Sequence, residues 1–220
     1  MKRVMIVDSL NLFVRNYIVS PEISKNGQPI GGVTGTIRSL QKLMRQTKPD
    51  EILFVWDGPG GSRKKKLILK DYKDGRTPFR LNRGVKVLSE QEEYQNKNWQ
   101  QLRLFEYLNQ FPIIQFLESG VEADDLISFV SQNEKYNDWT KIIVSSDKDF
   151  LQLCKGNTIL FRPIQDKIET EKSIVSEFGI HPNNFALARS LDGDKSDNIS
   201  GIPGIGLKTI AKNLPFLAES

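Results

Sequence analysis

Residues 4–11 read VMIVDSLN, an apolar run rich in β-branched side chains that stops at Asp8. A short continuous run of this kind is the pattern of a strand buried on both faces. The pattern recurs in ILFVWDGP, where Ile52–Trp56 leads into Asp57, and in VSSDKDF, where Ile142–Ser145 leads into Asp147 and Asp149. Ile113–Leu117 is a further strand candidate and Thr158–Phe161 a weaker one. Between them lie helical patterns at Val33–Gln46, about Arg63–Tyr72, Ser89–Asn109, Ala123–Gln132 and Thr170–Phe178. Strand alternating with helix predicts an α/β domain with a mainly parallel sheet flanked by helices.

The acids matter as much as the strands. Two more segments, GVEADDL with Glu122, Asp124 and Asp125, and LDGDKSDN with Asp194 and Asp197, bring the total to nine carboxylates in five segments. In an open parallel sheet, ligands bind at the carboxyl ends of the strands. Acids gathered there repel one another unless cations hold them, so a divalent-metal site is expected. Each segment alone has a plainer reading. Ser-Asp-Lys-Asp suits a turn and helix cap, and acids at a helix start oppose its dipole. Three acids exceed what capping requires, and the joint occurrence favours ligation.

Composition narrows the chemistry. The single cysteine, Cys154, allows no internal disulfide, and the lone histidine, His181, lies far in sequence from the acidic segments. Zinc held by His or Cys and a Ser-His-Asp triad are therefore disfavoured. Oxygen donors alone suit Mg²⁺ or Mn²⁺. No apolar run reaches the roughly 18 residues of a membrane span, and the N-terminus lacks a secretory pattern, so a soluble, cytoplasmic protein is expected.

The net charge of +4 is unevenly spread. Residues 63–86 carry ten basic side chains (Arg63, Lys64, Lys65, Lys66, Lys70, Lys73, Arg76, Arg80, Arg83, Lys86) against Asp71 and Asp74, a balance of +8 that leaves −4 elsewhere. A basic segment beside an acidic pocket fits a polyanionic substrate; a solvated basic loop is the plainer alternative. Asp74–Val87, poor in apolar residues and containing Gly75, Pro78 and Gly84, reads as a mobile insertion. Lys73, just before it and downstream of Asp57, is a candidate to reach into the site.

From about Thr170 short helices replace strands. The run GIPGIGLKT, Gly201–Thr209, nearly mimics a nucleotide-binding loop, but Leu207 separates Gly206 from Lys208 and no strand precedes it. A helix–hairpin–helix reads better, with glycines permitting close approach of a phosphate to backbone N–H groups and Lys208 adding charge. A simple packing hairpin is the alternative.

In order, VDSLN, VWDGP, YKDGR, GVEADDL, SSDKDF and GDKSDNISGIPGIGLKT resemble the 5′-nuclease family of flap endonucleases and 5′–3′ exonucleases, which includes the N-terminal nuclease domain of bacterial DNA polymerase I and stand-alone bacteriophage enzymes. The resemblance spans nearly the whole chain. It implies a PIN-like core over 1–169 with a basic helical arch at about 74–97, and a helical module over 170–220 containing the hairpin, in a short or truncated form closer to the stand-alone phage type. It further implies two Mg²⁺ or Mn²⁺ ions, one held by Asp8, Asp57, Glu122 and Asp124, the other by Asp147, Asp149 and Asp197 with Asp124 bridging. Asp125 and Asp194 would act through water. Lys73 and Arg76 match the family's basic residues at the base of the arch. Arg63, Lys64, Lys65, Lys66, Lys70, Arg80, Arg83 and Lys86 would hold single-stranded DNA, and Gly201, Gly204, Gly206 and Lys208 the duplex, where K⁺ is a further implied cofactor. The expected substrate is DNA with a 5′ flap or 5′ end, or an RNA–DNA hybrid, cut by a monomer in a bacterial or phage-infected cytoplasm. The competing expectations are a non-catalytic DNA-junction binder and a PIN-type ribonuclease.

Overall fold

A computed structural model of the chain describes residues 1–74 and 88–220. Arg76, Arg80, Arg83 and Lys86, with the expectation of mobility across 75–87, lie outside the described residues. Among the described residues, no helix is long and apolar enough to cross a membrane.

Among the described residues the sheet is assembled from six strands: β1 (Arg3–Asp8), β2 (Glu51–Trp56), β3 (Ile114–Leu117), β4 (Thr140–Val144), β5 (Thr158–Arg162) and β6 (Lys167–Glu169). Their order is β3-β2-β1-β4-β5-β6, parallel throughout except for β6, which returns antiparallel to β5. The centre of this order explains the unbroken apolar run at 4–7. Val4 and Ile6 enter one core, Met5 and Val7 the other, and all four are fully buried. Burying such a side chain is worth roughly 1.5–3 kcal/mol.

The core holding Met5 and Val7 is closed by α1 (Ser9–Val19), α2 (Gly31–Thr47) and α4 (Glu90–Leu108). The opposite core is closed by α5 (Ala123–Ser131), the 3₁₀ turn at Lys148–Leu153 and the C-terminal helices α6 (Glu171–Phe178), α7 (Pro182–Asp192) and α8 (Leu207–Asn213). Strand succession runs outward from β1 on one side and from β4 on the other. The switch between them, where a ligand crevice is expected, lies between the carboxyl ends of β1 and β4.

Local sequence sets the boundaries. Ser89 and Glu92 form a reciprocal capping box that starts α4, so residues 90–97 are its first turns. His181 accepts from the Asn183 amide through its side chain and Pro182 opens α7, so the lone histidine is a helix cap. One expectation is corrected and two elements were not anticipated. The helix α1 follows β1 without a loop, because the Asp8 carboxylate accepts from the Asn11 amide and caps it at once. The helix expected over about 63–72 is α3 (Arg63–Ile68), since an extended Leu69 ends it. Strand β6 was not foreseen in so short a run, and it places Glu169 in the core beside Arg162.

Candidate active site

Strand ends supply the site's floor. Asp8 closes β1, and its Oδ2 accepts from Ser145 Oγ at the end of β4, at 2.8 Å. Asp57 follows β2 and its Oδ1 accepts from the Ala123 amide at 2.9 Å, fastening the end of β2 to the start of α5. Gly58 lets these two loops meet: a Cβ there would fall 1.6 Å from the Glu118 carbonyl oxygen. Glu122 is the residue before α5 yet makes no side-chain cap bond, so the capping alternative does not account for it. Asp147 does cap, accepting from the Asp149 amide at 2.8 Å, and it still faces the site.

These ends open into a cavity of about 450 Å³ lined by Asp8, Asp57, Asp124, Asp147, Asp149 and Asp197, with Lys73 among them. Its other wall is mixed, with apolar Leu10, Val14 and Ile18 beside polar Asn11 and Arg15 on α1, and Phe150 and Ile164 completing it. Six of the nine singled-out carboxylates thus share one cavity. Glu122 is buried beside it, and oxygens of Glu122, Asp124 and Asp125 lie within 4.8 Å of one another.

Cations thread this cluster. Lys73 has a positive φ of 59°, and its Nζ reaches Glu122 Oε1 at 2.5 Å. Its backbone N–H donates to the Asp197 carbonyl at 3.1 Å, which joins the segment after α3 to the acidic loop before α8. Tyr72, which sequence reasoning did not single out, is buried beneath and donates its hydroxyl to Glu122 Oε2 at 3.0 Å. Its ring lies 5.0 Å from Lys73 Nζ and 6.0 Å from Lys65 Nζ. Lys65 pairs with Glu122 and stands 3.2 Å from oxygens of both Asp124 and Asp125. Arg189 of α7, also not foreseen, donates to Asp149 at 3.0 Å, Asp192 at 2.9 Å and Asp194 at 2.6 Å.

The electrostatics follow from this geometry. Burial pushes the Asp8 carboxyl up to about 7, against the pull of its Ser145 and Asn11 hydrogen bonds and with a further push from Asp57 and Asp147. Burial also raises Asp147, reinforced by Asp149, Asp194 and Asp124, and raises Asp124 despite Lys65. Glu122 goes the other way: burial opposes its charge, but hydrogen bonds from Lys65 and Lys73 hold it below the usual carboxylate range. Burial likewise opposes the charge of Lys65, and its bond to Glu122 with the fields of Asp124 and Glu122 raises it overall. An all-oxygen donor set, crowded enough to raise its own proton affinity, is chemically fitted to a hard divalent cation.

Other expected residues are placed differently. Asp194 does not line the cavity. Its Oδ1 accepts from Ser196 and Asp197, its Oδ2 accepts from Arg189, and these bonds lower its pKa against burial. Asp125 sits beside the cavity on α5, facing Lys65. Arg63, Lys64, Lys66 and Lys70 are exposed on and after α3, with Lys66 2.7 Å from Asp74. Lys65 departs from this group, turning inward. Gly201 is a glycine because its backbone packs on Asp192 and Gly193, where a Cβ would meet the Asp192 carbonyl oxygen at 2.1 Å. Gly204 and Gly206 are exposed between α7 and α8, and Lys208 is exposed in the first turn of α8.

Known proteins resemble this chain along most of its length. The family described as "5′-3′ exonuclease, N-terminal resolvase-like domain" matches residues 3–179. A 5′-3′ exonuclease of Aquifex aeolicus is 29% identical over 212 residues, covering 95% of this chain and 68% of that protein. The flap endonuclease Xni of Vibrio vulnificus is 29% identical over 205 residues, covering 93% and 73%. Among solved structures, a bacteriophage T5 flap endonuclease in a pseudo-enzyme–product complex with DNA and metal ions superposes with a TM-score of 0.75 at 19% identity, covering 97% of this chain and 76% of that one. This likeness establishes the shared α/β fold.

Proposed function

The chain belongs to the 5′-3′ exonuclease N-terminal resolvase-like family, and we propose that it acts as a structure-dependent 5′ nuclease, hydrolysing DNA phosphodiesters at 5′ flaps and 5′ ends. The observation that carries this reading is the cavity at the β1/β4 switch point, where six carboxylates converge with one lysine. Asp8, Asp57, Glu122 and Asp124 would hold one ion. Asp147, Asp149 and Asp197 would hold a second, with Asp124 between the two sets and Asp125 and Asp194 acting through water. When bound, two Mg²⁺ or Mn²⁺ ions supply the positive charge that activates water and stabilises the departing 3′ oxygen.

The chain's own residues do the rest. Lys73, anchored through Glu122, presents its ammonium to the non-bridging oxygens of the scissile phosphate as charge accumulates there. Tyr72 fixes the Glu122 carboxylate from below. Arg63, Lys64, Lys66 and Lys70 form an exposed basic rim suited to a single-stranded 5′ end. Gly204, Gly206 and Lys208 would grip duplex backbone behind the cut, as a hairpin that reads phosphate and not bases. RNA–DNA hybrids fit the same contacts, since none requires a particular base or sugar.

Asp149→Asn tests the assignment. It should abolish cleavage at Mg²⁺ concentrations that saturate the wild type, while metal-free DNA binding persists or tightens because a negative charge has gone. Turnover like wild type in that variant would overturn the carboxylate assignment.

A further inference from the structure

Lys65 is the exception on its helix. Arg63, Lys64 and Lys66 are exposed, whereas the Lys65 side chain is 31% exposed and directed into the acidic cluster. Its ammonium pairs with Glu122 and lies 3.2 Å from Asp124 Oδ1 and 3.2 Å from Asp125 Oδ2. Those three residues are the group whose oxygens come within 4.8 Å of one another, the spacing at which one cation is shared. An ammonium in contact with all three occupies the space and the lone pairs that a divalent ion would use. The two compete, because the ammonium takes up lone pairs of both Glu122 and Asp124 and two positive charges a few ångströms apart inside a protein repel strongly.

We propose that Lys65 is a resident counter-cation that competes with the divalent ion for Glu122 and Asp124, with Asp125 as its further partner, and swings out on its flexible stem when the ion enters. The arrangement serves two ends. It offsets part of the negative charge of three crowded acids while the site is metal-free. It also turns metal entry into an exchange of cations, so the displaced ammonium joins the exposed basic rim of α3 when the catalytic ion arrives. Lysine suits the role: its ammonium is a compact point charge on a mobile chain, where arginine would lock into a planar fork. The inference rests on the metal-dependent reading of this site, and its test needs neither DNA nor cleavage.

Mn²⁺ binding to the DNA-free protein is followed through the resonance signal of free Mn²⁺. Lys65→Met should bind Mn²⁺ about tenfold or more tightly than wild type, while Lys64→Met on the same helix should leave affinity unchanged. Unchanged or weaker binding in Lys65→Met, equal tightening in Lys64→Met, or no binding by either wild type or Lys65→Met overturns the proposal. A second measurement on the wild-type chain covers misfolding of the variant. Acylation of lysines, read residue by residue by mass spectrometry, should show Lys65 protected in chelator and reactive after Mg²⁺ is added, with Lys64 reactive in both. Lys65 reactivity that does not rise with Mg²⁺ overturns it as well. Mn²⁺ binding and Lys65 exposure as expected, in a protein that cuts no DNA, would uphold the exchange and remove the nuclease reading.

Discussion

Replacing Asp8 by asparagine should stabilise the metal-free protein, and by an amount that depends on pH. The Asp8 carboxyl has its proton affinity raised from 3.8 to about 7, chiefly because burial disfavours its charge. A tenfold change in proton affinity is about 1.4 kcal/mol, so forcing this group to ionise costs the folded state on the order of 4 kcal/mol. The sign follows from proton counts. Between pH 3.8 and about 7 the folded chain holds a proton that the unfolded chain has lost, so this group's contribution to stability falls as pH rises through that window. Above about 7 the cost is fully present; below 3.8 it vanishes. Asparagine removes the charge but weakens the bonds from Ser145 Oγ and the Asn11 amide, each worth about 1 kcal/mol. Urea unfolding in chelator should therefore find Asp8→Asn more stable than wild type by about 2–3 kcal/mol at pH 8, with the gain shrinking as pH falls toward 4. Saturating Mg²⁺ should reverse the order, since wild type regains through ion binding what it loses by ionising. A gain that is absent at pH 8, or that grows as the solution is acidified, would show that burial does not hold the Asp8 carboxyl protonated.

Lys73→Ala should lower the single-turnover cleavage rate by about 10²–10³-fold, as for loss of an electrostatic donor, with a much smaller effect on substrate affinity; weaker affinity at an unchanged rate would demote it to a phosphate contact. Tyr72→Phe removes the hydroxyl bonded to buried Glu122 and should cost about 1–2 kcal/mol in urea unfolding, and an unchanged midpoint would contradict the bond. Arg189→Met strips a half-buried guanidinium from three carboxylates and should destabilise the metal-free fold by about 2–4 kcal/mol; equal stability would show those contacts to be dispensable. Lys208→Ala should reduce the salt slope of duplex binding by about one unit, uniformly across sequences, and a slope that stays put would take Lys208 off the duplex surface.

Much of this architecture is legible because the central strands are buried on both faces, so residues 4–7 and 52–56 carry continuous apolar runs that no surface element needs. Asp8 and Asp57 stand out for the same reason, each following a run that has no room for charge. Helix α1 escapes the reading because strand and helix share Asp8 as end and cap, leaving no turn residue to mark a boundary. Arg189 escapes it because its partner Asp149 lies forty residues away and only the packing of α7 on the 3₁₀ turn at 148–153 brings them together. Asp194 and Lys65 show the converse limit. Each sits in the expected segment, but the direction of a side chain is set by its neighbours: Arg189 and Ser196 draw Asp194 away from the cavity, and Glu122 draws Lys65 inward.

Cleavage of nucleic acid near a 5′ end, with the help of divalent ions, is the activity proposed for the acidic cavity. The direct measurement is digestion of a 5′-labelled flap duplex by the purified chain, with Mg²⁺ or with chelator, scored for product length. Short labelled products should appear, ending near the junction and formed only with the ion, with little cutting of an unbranched single strand of the same sequence. An intact flap at every Mg²⁺ and Mn²⁺ concentration, or cleavage that proceeds equally in chelator, would contradict it.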